Sequence, residues 1–480
     1  MTLPYVRETI TDGALGAAVD NPDDVVALIG ASSSGTAATV YALTQPQDVR
    51  STLGYGPLAE QAAHVLTKGR GKLTALCIPA TTSAGSVGAF SKVVDGTGSG
   101  NGSVADSSST PNDDYELRIK ITTGGAVATA KFQYSLDNGR TWSGIIATAA
   151  TYAIPNTGIT VAFSGTSFDA GDVFASRVLA PSFDATAIGA ALDALFLDGR
   201  RFRLVHVVGI PASAAAAFTM ASALDAKLVA AEALYLYARG ICEGPEGVTD
   251  ANLIAACTET LKRTAIAADF CALMGDLTLR RTKRPAAWPI VARIMQRPVH
   301  EHPGQFDVGS LEGVAPLKST TSDAVSYGYR DEDRTPGLDD AGFMTLRTMR
   351  GVSGVYISRG TMLVSPTSDY RQLQQGAVMD KAATAGHDAM LVYLNRAIRT
   401  NANGTIKEEV AQQIEREATA KLERAIVNAG HAERVELLVL RTNNVLSTKE
   451  LKYRVRVLPF GYAEFIDGEY GFTNPALAVA

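Results

Sequence analysis

The segment Val25-Val26-Ala27-Leu28-Ile29-Gly30 is an unbroken apolar run that leads into a Gly/Ser loop. A short run of this kind, bounded by turn residues, predicts a buried strand. Residues 57–68 follow with a helical pattern that has proline in its first turn, and residues 73–78 form a second apolar run. Together these elements predict a compact α/β domain that begins near residue 24.

The composition limits the classes of function. At 480 residues the chain is long enough for about two to four domains with a large core. Its formal net charge of -5 and the lack of a basic stripe argue against a nucleic-acid-binding surface. We expect no apolar run long enough to span a bilayer, and the start Met1-Thr2-Leu3-Pro4-Tyr5 lacks the features of a signal peptide. The expectation is a soluble protein made in a cytoplasm, without membrane insertion.

A second composition begins near Asp95. Residues 96–114 are rich in Gly, Ser, Thr and Asn, which predicts a flexible linker. Residues 115–121, 130–136 and 158–163 then alternate apolar and polar side chains between turns. This pattern predicts a small all-β module, ending near residue 177, that is inserted into the α/β domain.

The module contains the sequence Ser135-Leu136-Asp137-Asn138-Gly139-Arg140-Thr141-Trp142, which fits the Asp-box pattern of sialidase-like propellers. We expect Asp137 to cap a hairpin turn, Gly139 to take a positive φ and Trp142 to pack beneath the hairpin. A sialidase would need several such boxes and an arginine cluster. A single box therefore indicates a stable hairpin rather than a catalytic element.

The α/β pattern resumes near residue 184. Helices are predicted at residues 184–197, 212–237 and 249–268, with a strand at 202–208. Two long helices are predicted at 370–399 and 406–427, separated by the breaker Asn401-Ala402-Asn403-Gly404, and a strand at 435–440 follows.

The last thirty or so residues are rich in strand-forming side chains. Along residues 451–458 one face carries Leu451, Tyr453, Val455 and Val457, and the other carries Lys452, Arg454 and Arg456. This alternation predicts a strand with one solvated face. Beyond Pro459 the sequence is again strand-like, with Tyr462, Phe465, Ile466, Tyr470 and Phe472. Aromatic residues at a chain end are buried either in their own fold or at a neighbour's sheet edge, and the second option implies an assembly.

We find no convincing site for catalysis, a cofactor or a metal. The loop Gly30-Ala31-Ser32-Ser33-Ser34-Gly35 follows a strand but lacks both Gly-Lys-Ser/Thr and G-x-G-x-x-G. His300-Glu301-His302 could offer two zinc ligands, but the Pro303-Gly304 turn favours a polar loop. Arg330-Asp331-Glu332-Asp333-Arg334 is typical of a solvated loop. The four separated cysteines (Cys77, Cys242, Cys257 and Cys271) are expected to be free, buried thiols.

The chain resembles contractile-tail sheath proteins of bacteriophages and related injection particles. The resemblance begins with 25–30 and Leu53-Gly54-Tyr55-Gly56-Pro57-Leu58, a buried strand that ends in glycine and precedes a short motif and a helix. It continues in Leu338-Asp339-Asp340-Ala341-Gly342-Phe343, in Gly351-Val352-Ser353-Gly354-Val355-Tyr356-Ile357, in the two long helices and in the closing segment 460–467. It does not cover the β module, where sheath proteins tend to carry outward decorations.

The resemblance implies a multidomain α/β (α+β) sheath fold with an inserted all-β domain and extended terminal arms. The implied regions are an N-terminal arm (1–21), a discontinuous α/β sheath domain (22–95 and 180–335), the insert (96–179), a C-terminal sheath core domain (336–459) and a C-terminal arm (460–480). The arm residues expected to link subunits are Tyr5, Val6, Tyr453, Val455, Val457, Tyr462, Phe465, Tyr470 and Phe472. Lys452, Arg454 and Arg456 would either pair with acidic groups of a neighbour or form a solvated strand face.

The implied function is structural. Subunits would form stacked hexameric rings around a tail tube and contract to drive the tube through a cell envelope, without a cofactor. The expected partners are other copies of the chain, the tube protein, and the baseplate and tail terminator proteins, in a virion tail assembled in a bacterial cytoplasm. The helix around residues 380–399 would face the tube or be buried within one subunit.

Two other classes remain open from the sequence. One is a virion surface or adhesin protein whose β insert binds host glycan. The other is a doubly wound α/β enzyme that uses the loop after Ile29, which the missing phosphate-binding motif disfavours.

Overall fold

The computed structural model describes residues 21–315 and 337–472. The chain divides into two compact units, Met1–Thr384 and Ala385–Ala480. In chain order, the helices in the described ranges are α1 (Pro46–Leu53), α2 (Pro57–Gly69), α3 (Ala185–Asp198), α4 (Ala214–Ala231), α5 (Asp250–Ala256), α6 (Ala287–Gln296), α7 (Leu373–Met390), α8 (Glu408–Leu422) and α9 (Val445–Thr448).

The strands of the same described ranges, numbered in the same way, fall into six sheets. They are β1 (Val25–Gly30), β2 (Tyr41–Leu43), β3 (Thr74–Pro79), β4 (Ser86–Val87), β5 (Ser91–Val94), β6 (Ser103–Asp106), β7 (Tyr115–Thr123), β8 (Lys131–Ser135), β9 (Ile146–Ala147), β10 (Thr151–Ile154), β11 (Ile159–Ser164), β12 (Val173–Leu179), β13 (Leu204–Val208), β14 (Arg239–Glu243), β15 (Thr264–Ala267), β16 (Phe270–Met274), β17 (Arg281–Pro285), β18 (Val314–Ala315), β19 (Leu346–Met349), β20 (Val352–Ile357), β21 (Arg434–Val439) and β22 (Tyr453–Leu458).

The centre of the first unit is a six-stranded sheet in the order β15-β14-β13-β1-β3-β2. All its neighbouring strands are parallel except β2, which runs antiparallel to β3. Every residue of β1 is buried, and alternate residues enter two different cores: Val26 and Leu28 pack with one cluster, Val25 and Ala27 with the other. Burial on both faces explains why β1 is an unbroken apolar run rather than an alternating one.

Helices cover both faces of this sheet, as in doubly wound folds. α2 and α6 pack together in one cluster, and α3 and α4 pack together in the other. The turn before α2 depends on Gly56, which has a φ of 119°; a Cβ there would lie 2.9 Å from the carbonyl oxygen of Asn112.

One helical segment among the described residues, Ala214–Leu234, is long and apolar enough to cross a membrane. This corrects the expectation that no such run exists. The segment contains α4, which packs against α3, β14 and β15. Its apolar composition is therefore that of a core helix on the sheet.

The residues between β3 and α3 form strands β4–β12, arranged in a three-stranded and a six-stranded sheet. Aromatic rings fill the space between them, with the centroids of Phe132 and Phe163 4.7 Å apart. The prediction of a flexible linker at 96–114 is wrong. Strand β6 lies within it and pairs with β11, and the amides of Gly96 and Gly100 donate to the carboxylates of Asp172 and Asp169.

Buried and half-buried ion pairs join this β segment to the rest of the unit. Arg284 of β17 donates to both carboxylate oxygens of Asp113, at 2.7 and 2.5 Å, and both side chains are almost fully buried. Arg177 of β12 and Lys283 of β17 both pair with Glu246, each at 2.9 Å. These contacts hold the residues just before β7 and the last strand of the segment against the α/β core.

The predicted helix at 249–268 is wrong in its second half. α5 ends at Ala256, and Thr264–Ala267 is β15, the edge strand of the central sheet. Two more predicted helices are too long, because α4 ends at Ala231 and α7 ends at Met390. Short apolar runs fit either a strand or a helix, and only pairing with β14 decides the state of β15.

Candidate functional site

In the second unit, β21 and β22 form an antiparallel two-stranded sheet that packs on α8. The register places Val435 opposite Val457 and Leu437 opposite Val455. α8 contributes Ala411, Ile414, Ala418 and Leu422 to the buried side, which explains the helical spacing of these apolar residues.

The free edge of β21 is covered by side chains of α8. The backbone N–H of Leu437 donates to Thr419 Oγ1 at 3.1 Å, and that of Val439 donates to Glu415 Oε1 at 2.7 Å. These amides point away from β22, so the helix satisfies the donors that another strand would otherwise take.

The outer edge of β22 has no strand partner within residues 21–315 and 337–472. Beside the strand, the Leu440 amide donates to the Lys452 carbonyl at 2.8 Å, which fixes the alternation of the ladder. Lys452, Arg454 and Arg456 therefore exchange backbone bonds with β21. The backbone groups of Val455 and Val457 point to this open edge.

The side chains of β22 alternate as the sequence predicts from Arg454 to Val457, whereas Tyr453, predicted on the apolar face, is exposed. Val455 and Val457 are half-buried, whereas Lys452, Arg454 and Arg456 are exposed. Lys452 also lies 3.1 Å from Glu450, and both of these side chains are exposed. The exposed face of the strand is thus basic.

An ion-pair cluster fastens the end of β21 to α8. Arg441 binds Glu415 and also Glu408, whose Oε1 lies 2.9 Å from Nη2. Hydrogen bonds from Arg441 hold the pKa of both carboxyl groups below their usual values. The cluster anchors the strand from which β22 takes its register.

The segment after β22 has no regular secondary structure up to residue 472. Phe465, Ile466, Tyr470 and Phe472 are exposed, the last two almost completely, whereas Tyr462 is half-buried. Burial raises the pKa of Tyr462 to about 12. Within its own subunit, this part of the chain leaves most of its aromatic surface in solvent. The predicted strand character beyond Pro459 is therefore absent from residues 460–472 of the single chain.

Several predicted residues lie outside the described ranges. These are Tyr5 and Val6 of the N-terminal arm, the charged run 330–334 and the end of the C-terminal arm from residue 473.

The Asp-box turn is built around a fully buried Asp137. Its carboxylate accepts hydrogen bonds from the Thr141 amide at 2.8 Å, the Thr141 hydroxyl at 2.6 Å and the Ser135 hydroxyl at 2.7 Å. Gly139 has a φ of 83°, and Trp142 lies against it with 36 % of its surface exposed. The hydrogen bonds from Thr141 and Ser135 lower the pKa of Asp137 although burial opposes this.

The loop after β1 is occupied by contacts within the chain. The amide of Ser33 donates to the Tyr55 carbonyl at 2.7 Å, and that of Ser34 donates to the Leu53 carbonyl at 3.1 Å. These amides are therefore not free to bind a phosphate. No cluster of three or more His, Cys, Asp or Glu side chains suited to a metal occurs in the part of the chain that the structure describes.

Residues 3–361 match the family model of the N-terminal domain of DUF2586. The match spans most of the chain. The chain belongs to the DUF2586 family. Curated protein sequences give no match to it.

The structure of this DUF2586 protein is similar to components of contractile particles. A chain of the PVC sheath complex, from an extracellular contractile injection system in its contracted state, aligns with a TM-score of 0.54 at 9 % identity over 98 % of each chain. A chain of the 6-fold symmetrised anti-feeding prophage (AFP) baseplate aligns with a TM-score of 0.52 at 10 % identity, over 99 % of the DUF2586 protein and all of that chain. The AFP baseplate in its contracted state gives 0.50 at 12 % identity, over 98 % of each chain. The resemblance to contractile-tail sheath proteins is thus confirmed at the level of the fold.

The residues that decide which sheet edge is open in this DUF2586 protein have no clear local signal in the sequence. Thr419 and Glu415 lie in the middle of α8, and nothing in their local sequence indicates that they accept bonds from a strand. Their spacing of four residues places them on one helix face, which is the only available signal.

Proposed function

We propose that the chain is a structural subunit of a contractile tail sheath. Its copies form stacked hexameric rings around a tail tube, and the assembly shortens to drive the tube through a cell envelope. The observation that carries the proposal is the fold shared with a sheath complex over nearly the whole chain.

The open edge of β22 is the proposed junction between subunits. A strand from a neighbour would add main-chain hydrogen bonds there, each contributing about 1 kcal/mol net. The N-terminal arm, with Tyr5 and Val6, and the C-terminal arm are the candidates for the added strands.

Charge and apolar surface both favour the C-terminal segment 460–472 as one of these strands. It carries the exposed acidic residues Asp467 and Glu469 among exposed aromatic side chains, and the exposed face of β22 is basic. A segment that reaches from one copy into the next makes a head-to-tail contact, which permits open helical growth. Opposite charges set the orientation more than the affinity of such a contact.

The energy for contraction would be the difference between two packings of the same subunits. In this proposal the protein is not an enzyme and needs no nucleotide. Its partners are other copies of itself, a tube protein, and the baseplate and tail terminator proteins. It works in a tail that is assembled in a bacterial cytoplasm.

Negative-stain electron microscopy of the full chain, beside a chain truncated after Pro459, tests the proposal. We expect hollow striated tubes from the full chain and none from the truncated one. If both chains remain monomeric at high concentration, the sheath assignment is wrong for this protein. Tubes from both chains would exclude the C-terminal arm as the essential link.

A further inference from the structure

A cavity of about 600 Å³ lies in the first unit, where the base of the β segment meets the central sheet. Its walls include Gly209 and Ile210, which follow β13, and Glu243, the last residue of β14. The β segment contributes Asp114 and Leu179. The cavity therefore lies outside the carboxyl ends of parallel strands.

This position is where doubly wound sheets bind small molecules. The chain passes from β1 to β3 on one side of the sheet and from β13 to β14 on the other, so β1 and β13 flank the point where the strand order reverses. The crevice at such a point is the usual ligand site of these folds, and 600 Å³ is within the range of small-molecule pockets.

Most of the cavity wall is apolar. Leu179, Phe183, Ile210 and Met220 contribute to it, and the indole of Trp288 lies beside them. A wall of this kind favours a ligand with a hydrocarbon or aromatic body.

The polar part of the wall is dominated by carboxyl groups. The side chains of Asp114, Asp184, Glu243 and Glu246 line the cavity, with Arg177 as the one cationic side chain among the lining residues. Arg177 lies 2.9 Å from Glu246, and Asp184 caps α3 through the Ala187 amide. These two carboxylates therefore have partners in the chain.

Glu243 differs from the others because it is only 2 % exposed and no Arg or Lys side chain of the described residues pairs with it. Its Oε1 accepts a hydrogen bond from Trp288 Nε1 at 2.7 Å and lies 3.4 Å from His206 Nε2. Its Oε2 accepts no hydrogen bond from the described residues. A buried carboxylate without an Arg or Lys partner is costly, and a positively charged ligand would relieve that cost.

We propose that this cavity binds a small organic ammonium ion with an apolar body, whose charged nitrogen donates to Glu243 Oε2. An anionic ligand such as a nucleotide is disfavoured by the four carboxyl groups. The acidic C-terminal segment of a second copy is disfavoured for the same reason, although its aromatic side chains would suit the walls. This inference is independent of the sheath proposal.

Trp288 provides the readout, because it lines the cavity and hydrogen-bonds Glu243. The chain has two tryptophans, so Trp142→Phe leaves Trp288 as the only one. The full chain with this substitution is titrated with phenethylamine, with phenethyl alcohol as the neutral analogue and phenylacetate as the anion. We expect a saturable change in Trp288 emission and a rise in the melting temperature with the amine, and roughly tenfold or more weaker binding of the alcohol.

Glu243→Gln keeps an oxygen that can accept from Trp288, and it should weaken amine binding roughly tenfold or more without changing alcohol binding. Glu259→Gln, at an exposed position away from the cavity, is the matched control and should bind as the parent does. Ala216→Phe, on the cavity wall in α4, should block the amine while Glu243 is intact, which keeps the test valid if Glu243→Gln fails to fold. Equal affinity for amine and alcohol, unchanged binding in folded Glu243→Gln, unchanged binding in Ala216→Phe, or no saturation at millimolar amine would each overturn the proposal.

Discussion

Substitution of Val455 by proline tests the open edge of β22 while leaving the hydrogen bonds within its own subunit intact. The Leu440–Lys452 bond places the Val455 amide on the side facing away from β21. Proline at this position therefore removes one donor from the open edge and none from the ladder between β21 and β22. Proline is tolerated on edge strands when the lost N–H faces solvent.

We expect the substitution to weaken association between subunits rather than the stability of the subunit itself. One missing hydrogen bond costs about 1 kcal/mol net, and the unmatched acceptor of the incoming strand raises the total to about 1–3 kcal/mol per junction. This corresponds to a roughly 5- to 150-fold weaker association at each junction. Pelleting and electron microscopy over a concentration series should show a higher critical concentration for tube formation, with a nearly unchanged melting temperature of the unassembled chain.

Two control variants make this result specific. Val455→Ala removes the same half-buried side chain but keeps the N–H, so its effect measures lost packing alone. Arg454→Pro removes an amide that pairs with Leu438 of β21, so it should lower the melting temperature of the subunit itself. If Val455→Pro and Val455→Ala give the same critical concentration, the outer edge of β22 is not a junction and the reasoning fails.

Three further predictions concern buried or partly buried charges. Burial raises the pKa of Asp114 to about 6 from its ordinary 3.8, so the free-energy cost of its ionised form grows as pH rises between these values. Asp114→Asn should therefore raise the free energy of unfolding by about 2–3 kcal/mol at pH 8 and by almost nothing near pH 3.5, as measured by denaturant unfolding. Asp113→Ala leaves Arg284 buried without its carboxylate and should cost about 3–5 kcal/mol in the same assay, whereas adding Arg284→Met should restore most of the loss. The lowered pKa of Glu415 means that its pairing with Arg441 stabilises the fold above about pH 4.3 and is lost as pH falls further; Glu415→Gln should thus lower the melting temperature at pH 7, and an equal loss at pH 3 would contradict this.

Strong local patterns were sufficient for much of the fold. The apolar run 25–30 predicted β1, and the period-two segment 115–121 predicted β7, because burial on two faces or on one leaves a direct imprint on side-chain composition. The helical spacing in 406–427 likewise predicted α8, which continues as a π-helical turn at Glu423–Val427. These elements could be predicted because the exposure of each side chain decides whether an apolar or a polar residue occupies its position.

Other features needed contacts between distant residues. The local sequence predicted a linker at residues 96–114, but β6 lies within this segment and pairs with β11, far along the chain. The local sequence also predicted a single helix at residues 249–268, but Thr264–Ala267 pairs with β14 and is an edge strand.

The amino-acid sequence by itself determined which face of β22 is basic and which is apolar, since alternation along a strand assigns side chains to faces. Only the tertiary structure decided that the edge of β21 is closed by Thr419 and Glu415 while the edge of β22 stays open. The cavity beside Glu243 was likewise decided only by the tertiary structure. Backbone edges and cavities are defined by what packs against them, and those partners lie far away in the chain.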